Sequence, residues 1–392
     1  MSAANYPATM VHDVMAATSK SYGLDHQFLT LPNYVQVGSP TGDGLYIGNP
    51  DFALRYDQSF PLATLVARAP TGTVSPQDGM AELDRIRNLD KRFPVWLTVL
   101  GYAVQSVGLA LILQPTPWSL IGAATLGLLV GALSAVGRRI EAIGYMLPTI
   151  CAFLVAFIVF SVNNRWHTGA DSLRALAAPL ATFLPGAAIT LAVIELATHH
   201  VVSGASRLVA GFMQIAQLAF GILIAAQLAG VADANLVTTE FNRLGPWAPF
   251  LGVLVYGLGI WLNFGPPTKF LPWMVVMLYT AYAGQWLGNV LLGSYASGFG
   301  GGLTLILFAL AISHRPNTPP TMSLVVPGFW LLVPGSLGFI GVTQLIGTDS
   351  TTVFTATLIS MMSIAVGVQT GLLLWRAAIQ FTGSPDRRAF HE

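Results

Sequence analysis

The chain divides by its hydrophobic pattern into two unequal parts. Up to residue 93, apolar and polar positions are interleaved, and from Pro94 onward long apolar runs alternate with short polar ones. Crossing a bilayer as helix takes about 20 mostly apolar residues, because lipid offers no partner to an open backbone amide. Ten stretches read as such spans: Pro94–Leu113, Trp118–Val136, Gly144–Val162, Leu176–Ala197, Leu208–Ala229, Trp247–Phe264, Leu271–Leu292, Ser297–Ile312, Met322–Ile346 and Val353–Ala377. The eighth is short. The fourth and ninth carry an internal Pro-Gly, at Pro185-Gly186 and Pro334-Gly335. Composition agrees: 54% of residues are hydrophobic and 9% charged, against roughly 25% charged in a soluble domain. Lipid must be the solvent for most of this chain.

The first 93 residues predict a small α/β unit on the cytoplasmic side. Val11–Ser21 reads as a helix closed by Gly23, and Tyr34–Val37 and Leu62–Arg68 as strands. Ser75 followed by Pro76 is an N-cap with proline at the first helical position, opening a helix to about Leu89. The first long apolar run starts only near Pro94, so no secretory signal is expected in the first 15–30 residues or so. The expected domains are 1–93 (cytoplasmic), 94–232 and 246–378 (five membrane helices each) and 379–392 (a cytoplasmic tail). With the start of the chain inside, twelve basic residues flank the spans on the cytoplasmic side. Arg165, Arg174 and Arg243 lie opposite. That asymmetry predicts both ends in the cytoplasm and an even number of spans.

An internal repeat organises the membrane part. At a shift of 149 residues, Pro185-Gly186 falls on Pro334-Gly335, Val193 on Val342, Glu195 on Gln344 and Met213 on Met362. The openings of the two halves echo at a second register, Leu97 on Leu251 and Tyr102 on Tyr256. Two halves of five spans must enter the membrane from opposite sides, the inverted-repeat plan of many secondary transporters. The expected fold is therefore an all-α membrane protein of ten transmembrane helices in two inverted five-helix repeats, plus the N-terminal unit.

Candidate chemistry lies at the helix breaks. Proline removes a backbone hydrogen bond within a helix, and in transporters the freed groups often hold substrate or ion. Pro185, Gly186, Pro334 and Gly335 are thus candidates for a substrate or ion path, against a simple packing kink. Thr190 and Gln344 join them as polar groups within spans. Glu195 is the acidic residue placed inside a span, where a charge costs roughly 2.5–3.5 kcal/mol. It either carries a coupling proton or reaches water at the cytoplasmic end. Arg207 could pair with it or act as a positive-inside anchor.

Other chemistries find little support. One cysteine, Cys151, excludes an internal disulfide. His199 and His200 are adjacent and point apart on a helix, so no metal site is expected. No nucleotide-binding motif appears, and Gly298–Gly302 lacks the Lys-Ser/Thr of a phosphate loop. A net charge of +1 argues against nucleic acid. His12, Asp13 and Ser19 form no spaced triad, so neither an enzyme nor a cofactor is expected. A membrane-embedded hydrolase, a scaffold and a transporter of another small polar solute remain the rivals.

The block LPGAAITLAVIELATHHVVSGASRL, from Leu184 to Leu208, resembles the signature of the threonine/serine exporter family. TGTVSPQDGMAELDRIRN is similar to that family's amphipathic lead-in helix, and VVPGFWLLVPGS to its C-terminal module. The resemblance implies ten spans, a bacterial inner-membrane location and export of threonine and serine driven by the proton motive force. The implied partners are lipid, a small amino acid and protons; it leaves the oligomeric state open. Pro185, Gly186, Glu195, Gly204 and Arg207 match the family pattern, with Gly204 and Arg207 in support, and Pro334-Gly335 matches the second module. Glu195 stands where an aspartate is expected. The N-terminal region looks short beside the family, without the glycine- and serine-bearing segment often found upstream in its members, the region in which a hydrolase-like character has been suspected.

Overall fold

The computed structural model describes residues 1, 6–32, 34–39, 45–48, 54–113, 116–166, 172–230, 244–293, 296–315, 318–332 and 352–382. Helix α1 (Ala8–Ser21) starts directly after Pro7 and stops before Gly23, whose φ of 71° favours a residue without Cβ. Strands β1 (Gln27–Thr30), β2 (Val35–Gly38) and β3 (Leu45–Gly48) form an antiparallel meander with Phe28 opposite Val37 and Val37 opposite Tyr46. The strand expected at Leu62–Arg68 is instead the end of helix α2 (Tyr56–Arg68). The Arg55 amide donates to Gln58 Oε1 at 2.9 Å and opens that helix. Leu62, Leu65 and Val66 then bury one helical face against Val11, Val14 and Ile86. A seven-residue apolar run fits either period, and the cap upstream decides it.

Helix α3 (Pro76–Arg87) has the expected start, with the Asp78 amide donating to Ser75 Oγ at 3.1 Å. Ser75→Ala should destabilise the N-terminal unit by about 1 kcal/mol. Chemical denaturation followed at that unit checks this, and an unchanged midpoint would deny the cap its role.

The remaining helices form a bundle: α4 (Val95–Ile112), α5 (Pro117–Gly137), α6 (Glu141–Trp166), α7 (Ser172–Leu180), α8 (Gly186–Ala197), α9 (Val201–Leu228), α10 (Ala248–Phe264), α11 (Leu271–Leu292), α12 (Ser297–Ser313), α13 (Thr321–Leu332) and α14 (Thr352–Thr382). Among the described residues, five helices are long and apolar enough to cross a membrane: α4, α5, α6, α9 and α14. The pair α7 and α8, bent by 51°, makes a sixth if counted as one span. Helices α10, α12 and α13 are apolar but shorter. Large apolar side chains such as Trp96, Trp118, Val209, Leu291 and Leu373 face outward, as a lipid-solvated surface requires. The chain is a multi-pass membrane protein.

Glycine sets how the helices meet. A Cβ on Gly108 would lie 2.2 Å from the Tyr256 nitrogen, and one on Gly259 2.2 Å from the Gln105 nitrogen. Gly101 faces Asn263 in the same way, so residue numbers rise along α4 as they fall along α10. The two helices run antiparallel with their backbones in contact, a packing that small residues permit. Helices α6 and α9 run parallel, as Gly221 against Thr149 and Asn164 against Ala229 show. So do α12 and α14, with Gly298 against Ser360 and Gly371 against Ile306. Pro117 and Leu271, which open α5 and α11, stand 154 residues apart; Ser172 and Thr321, which open α7 and α13, stand 149 apart.

The N-terminal unit is docked on the bundle. Arg92 donates to the Pro266 carbonyl at 3.2 Å. The Tyr56 hydroxyl donates to the Ser323 carbonyl, and its ring packs edge-on against Phe264. Burial pushes the Tyr56 phenol far above its ordinary range, which keeps it a donor there.

Candidate functional site

The site begins at the Pro185 break. Pro185 and Gly186 interrupt the fourth span, so α7 ends in a short 3₁₀ turn at Ala181–Phe183 and α8 restarts at Gly186. The break frees carbonyls, and one of them is already satisfied: Gln214 on α9 donates to the Phe183 carbonyl at 2.7 Å. Gln285 on α11 donates to the Leu332 carbonyl at 3.4 Å. Phe183 and Leu332 each stand two residues before a Pro-Gly. Gln214 thus takes up a backbone group that the break at Pro185 would otherwise leave bare in lipid.

A cavity of about 580 Å³ opens beside this break. Pro185, Ala188 and Leu191 line one wall with a single face of α8, and Ser323, Val326 and Trp330 of α13 line another. Asn263 and Thr182 add polar groups, while, among the described residues, Arg55, Lys91, Arg92, Arg138, Arg139 and Arg207 bring six cations against one acid, Asp57. Arg55 is tied to Asp57 by two hydrogen bonds of 3.0 and 2.9 Å.

Glu195 sits one turn beyond Leu191 and is 0% exposed. It is paired. Arg207 Nε donates to its Oε2 at 3.1 Å, and the amide of Ala8, the first residue of α1, donates to its Oε1 at 2.9 Å. Arg207 Nη2 also donates to the Tyr6 carbonyl at 3.2 Å. Of the two roles open to Arg207, the geometry gives the ion pair, and Glu195 does not open to water at the span's end. Gly204 explains the approach: a Cβ there would lie 2.7 Å from Leu196 Cγ and 2.8 Å from the Ala192 carbonyl. The close seam of α8 on α9 lets Arg207, one turn on, reach the acid. His199, with φ of 65°, makes the turn between the two helices.

Of the residues singled out in the sequence, Pro185 and Arg207 line the cavity, and Glu195 lies behind Arg207. Gly186 starts α8. Thr190 is buried and its hydroxyl has no partner among the described residues, but it is not on the cavity wall. Pro334, Gly335 and Gln344 lie outside the described residues. The partners that sequence reasoning missed are backbone groups, the Tyr6 carbonyl and the Ala8 amide, which carry no side-chain signal. Proline at position 7, whose φ of -57° and ψ of 143° set the helix start, was the available cue.

Residues 1–229 match the profile of a family described as "Putative threonine/serine exporter". Among curated proteins, Pheromone-regulated membrane protein 10 of Kluyveromyces lactis is 25% identical over 65% of this chain and 28% of its own length. The Eremothecium gossypii protein of that name is 23% identical over 84% of this chain and 46% of its own. The chain therefore spans less than half of these relatives. No solved structure matches.

Proposed function

The chain belongs to the threonine/serine exporter family, and from that premise we propose that it exports small neutral amino acids, threonine and serine first, by alternating access. The observation that carries this reading is the cavity at the Pro185 break, walled by α8 and α13. In this reading ten spans form two inverted five-helix halves, with both chain ends in the cytoplasm of a cell bounded by a plasma membrane. The antiparallel contact of α4 with α10 supports inversion, because these are the opening helices of the two halves. Gln105 and Gly259 face each other there and stand apart by the same 154 residues as Leu97 and Leu251. A two-fold axis passes where equivalent positions meet.

The driving force is proton antiport. One charge moved through 100 mV supplies about 2.3 kcal/mol, roughly a fortyfold gradient. The reading is tested in reconstituted vesicles loaded with labelled threonine. Efflux should rise several-fold when an inward proton gradient is imposed, and Glu195→Gln should lose that stimulation. Efflux indifferent to the gradient would remove proton coupling. A second reading, a transporter of another small polar solute with net negative charge, draws on the six cations around the cavity. Counterflow against a panel of neutral amino acids and small dicarboxylates separates the two, since only the true substrate exchanges.

A further inference from the structure

A buried ion pair is an expensive thing to keep in a membrane protein unless its charges are used. Here each member also holds a backbone group from outside the bundle. Arg207 takes the carbonyl of Tyr6 at 3.2 Å and Glu195 takes the amide of Ala8 at 2.9 Å. A cation receiving a carbonyl oxygen and an anion receiving an N–H, only a few bonds apart, is the recognition pattern of a zwitterion. A free amino acid would offer its carboxylate to the same guanidinium and its ammonium to the same carboxylate. We propose that Glu195 and Arg207 form the binding site for an α-amino acid zwitterion, and that Tyr6–Ala8 occupies it as a built-in competitor. This rests on the amino-acid transport reading and adds to it both the site and its regulation.

Three features fit the assignment. The pair is neutral overall, matching a ligand of no net charge. Tyr6 and Arg207 both line the cavity, whereas Glu195, covered by Ala8, does not; withdrawing Tyr6–Ala8 would extend the cavity to the acid. The competitor is also weaker than the ligand it imitates, since neutral backbone groups make weaker hydrogen bonds to a charge than an ion does. The segment itself is anchored on the N-terminal unit, where Thr30 Oγ1 donates to the Ala8 carbonyl at 3.0 Å. Occupancy by an amino acid would therefore be felt by the whole docked unit.

The test places a cysteine in the competitor. Ala8 is 3% exposed and the native Cys151 0% exposed, so in the full-length Ala8→Cys protein a thiol reagent should react slowly. Threonine or serine should accelerate alkylation of the new cysteine about tenfold by displacing the segment. N-acetylthreonine and threonine amide, each lacking one charge, should not. A second variant uses the backbone alone. Ala8→Pro removes the N–H given to Glu195 at a helical position that tolerates proline, and should tighten labelled-threonine binding about tenfold. Threonine that binds measurably yet leaves the alkylation rate and the Ala8→Pro affinity unchanged would overturn the assignment while leaving the transport reading intact. Failure of every amino acid to bind would remove both.

Discussion

Replacing Arg207 by alanine is expected to lower the unfolding free energy by about 3–5 kcal/mol, the range for removing one partner of a buried pair. Glu195 is 0% exposed and the Arg207 side chain 11%, so the carboxylate left behind keeps, among the described residues, only the Ala8 amide as a donor. Glu195→Gln should cost less, because a neutral amide can still accept from the same amide, and the Arg207 charge left over lines the cavity whereas Glu195 is fully enclosed. Combining Glu195→Gln with Arg207→Ala should cost clearly less than the two singles added, since the charge that Arg207 compensates is gone. The measurement is a double-mutant cycle on detergent-solubilised protein, with unfolding midpoints read against denaturant. Additive losses would show that the pair has no energetic coupling. Arg207→Lys should recover part of the stability, because an ammonium can meet Glu195 but cannot also reach Tyr6 with a second planar donor.

That pair marks how far the sequence could be read. Apolar run length placed the five described helices that are long and apolar enough to cross a membrane, because spanning imposes a minimum length and one polarity; α10 and α12 fall on expected spans but are shorter. Ser75 and Gly23 placed helix ends in the N-terminal unit because capping and positive φ are local requirements. At Leu62–Arg68 the local signal was ambiguous, and burial against α1 and α3 settled it as helix. Glu195 was visible as an acid out of place, and Arg207 as a possible partner twelve residues on. What brought them together was a glycine, Gly204, whose meaning depends on the helix it faces. Pro7 marks where α1 starts, but that the Ala8 amide caps an acid 187 residues away is set by the docking of the N-terminal unit and by no pattern of side chains.

The contact of α4 with α10 carries the second large effect. Gly108→Ala should destabilise the bundle by about 1–3 kcal/mol, the usual cost of overpacking. The new methyl would meet Tyr256 backbone atoms at 2.2 and 2.5 Å, and no rotamer change can relieve a clash with backbone. Gly259→Ala should cost a similar amount, because its Cβ would meet the Gln105 backbone at 2.2 and 2.4 Å. Gly122 on α5 is the control. A Cβ there meets nothing within 4 Å, so Gly122→Ala should be neutral or stabilise by up to about 1 kcal/mol through helix propensity. Losses at both 108 and 259 follow from backbone contact along the whole crossing, whereas a loss confined to one glycine would argue against it. The transport consequence is sharper than the stability one. If the two halves rock about this seam, spreading the backbones by one methyl should slow the exchange of inward and outward states while threonine still binds, and single-turnover efflux would separate the two steps.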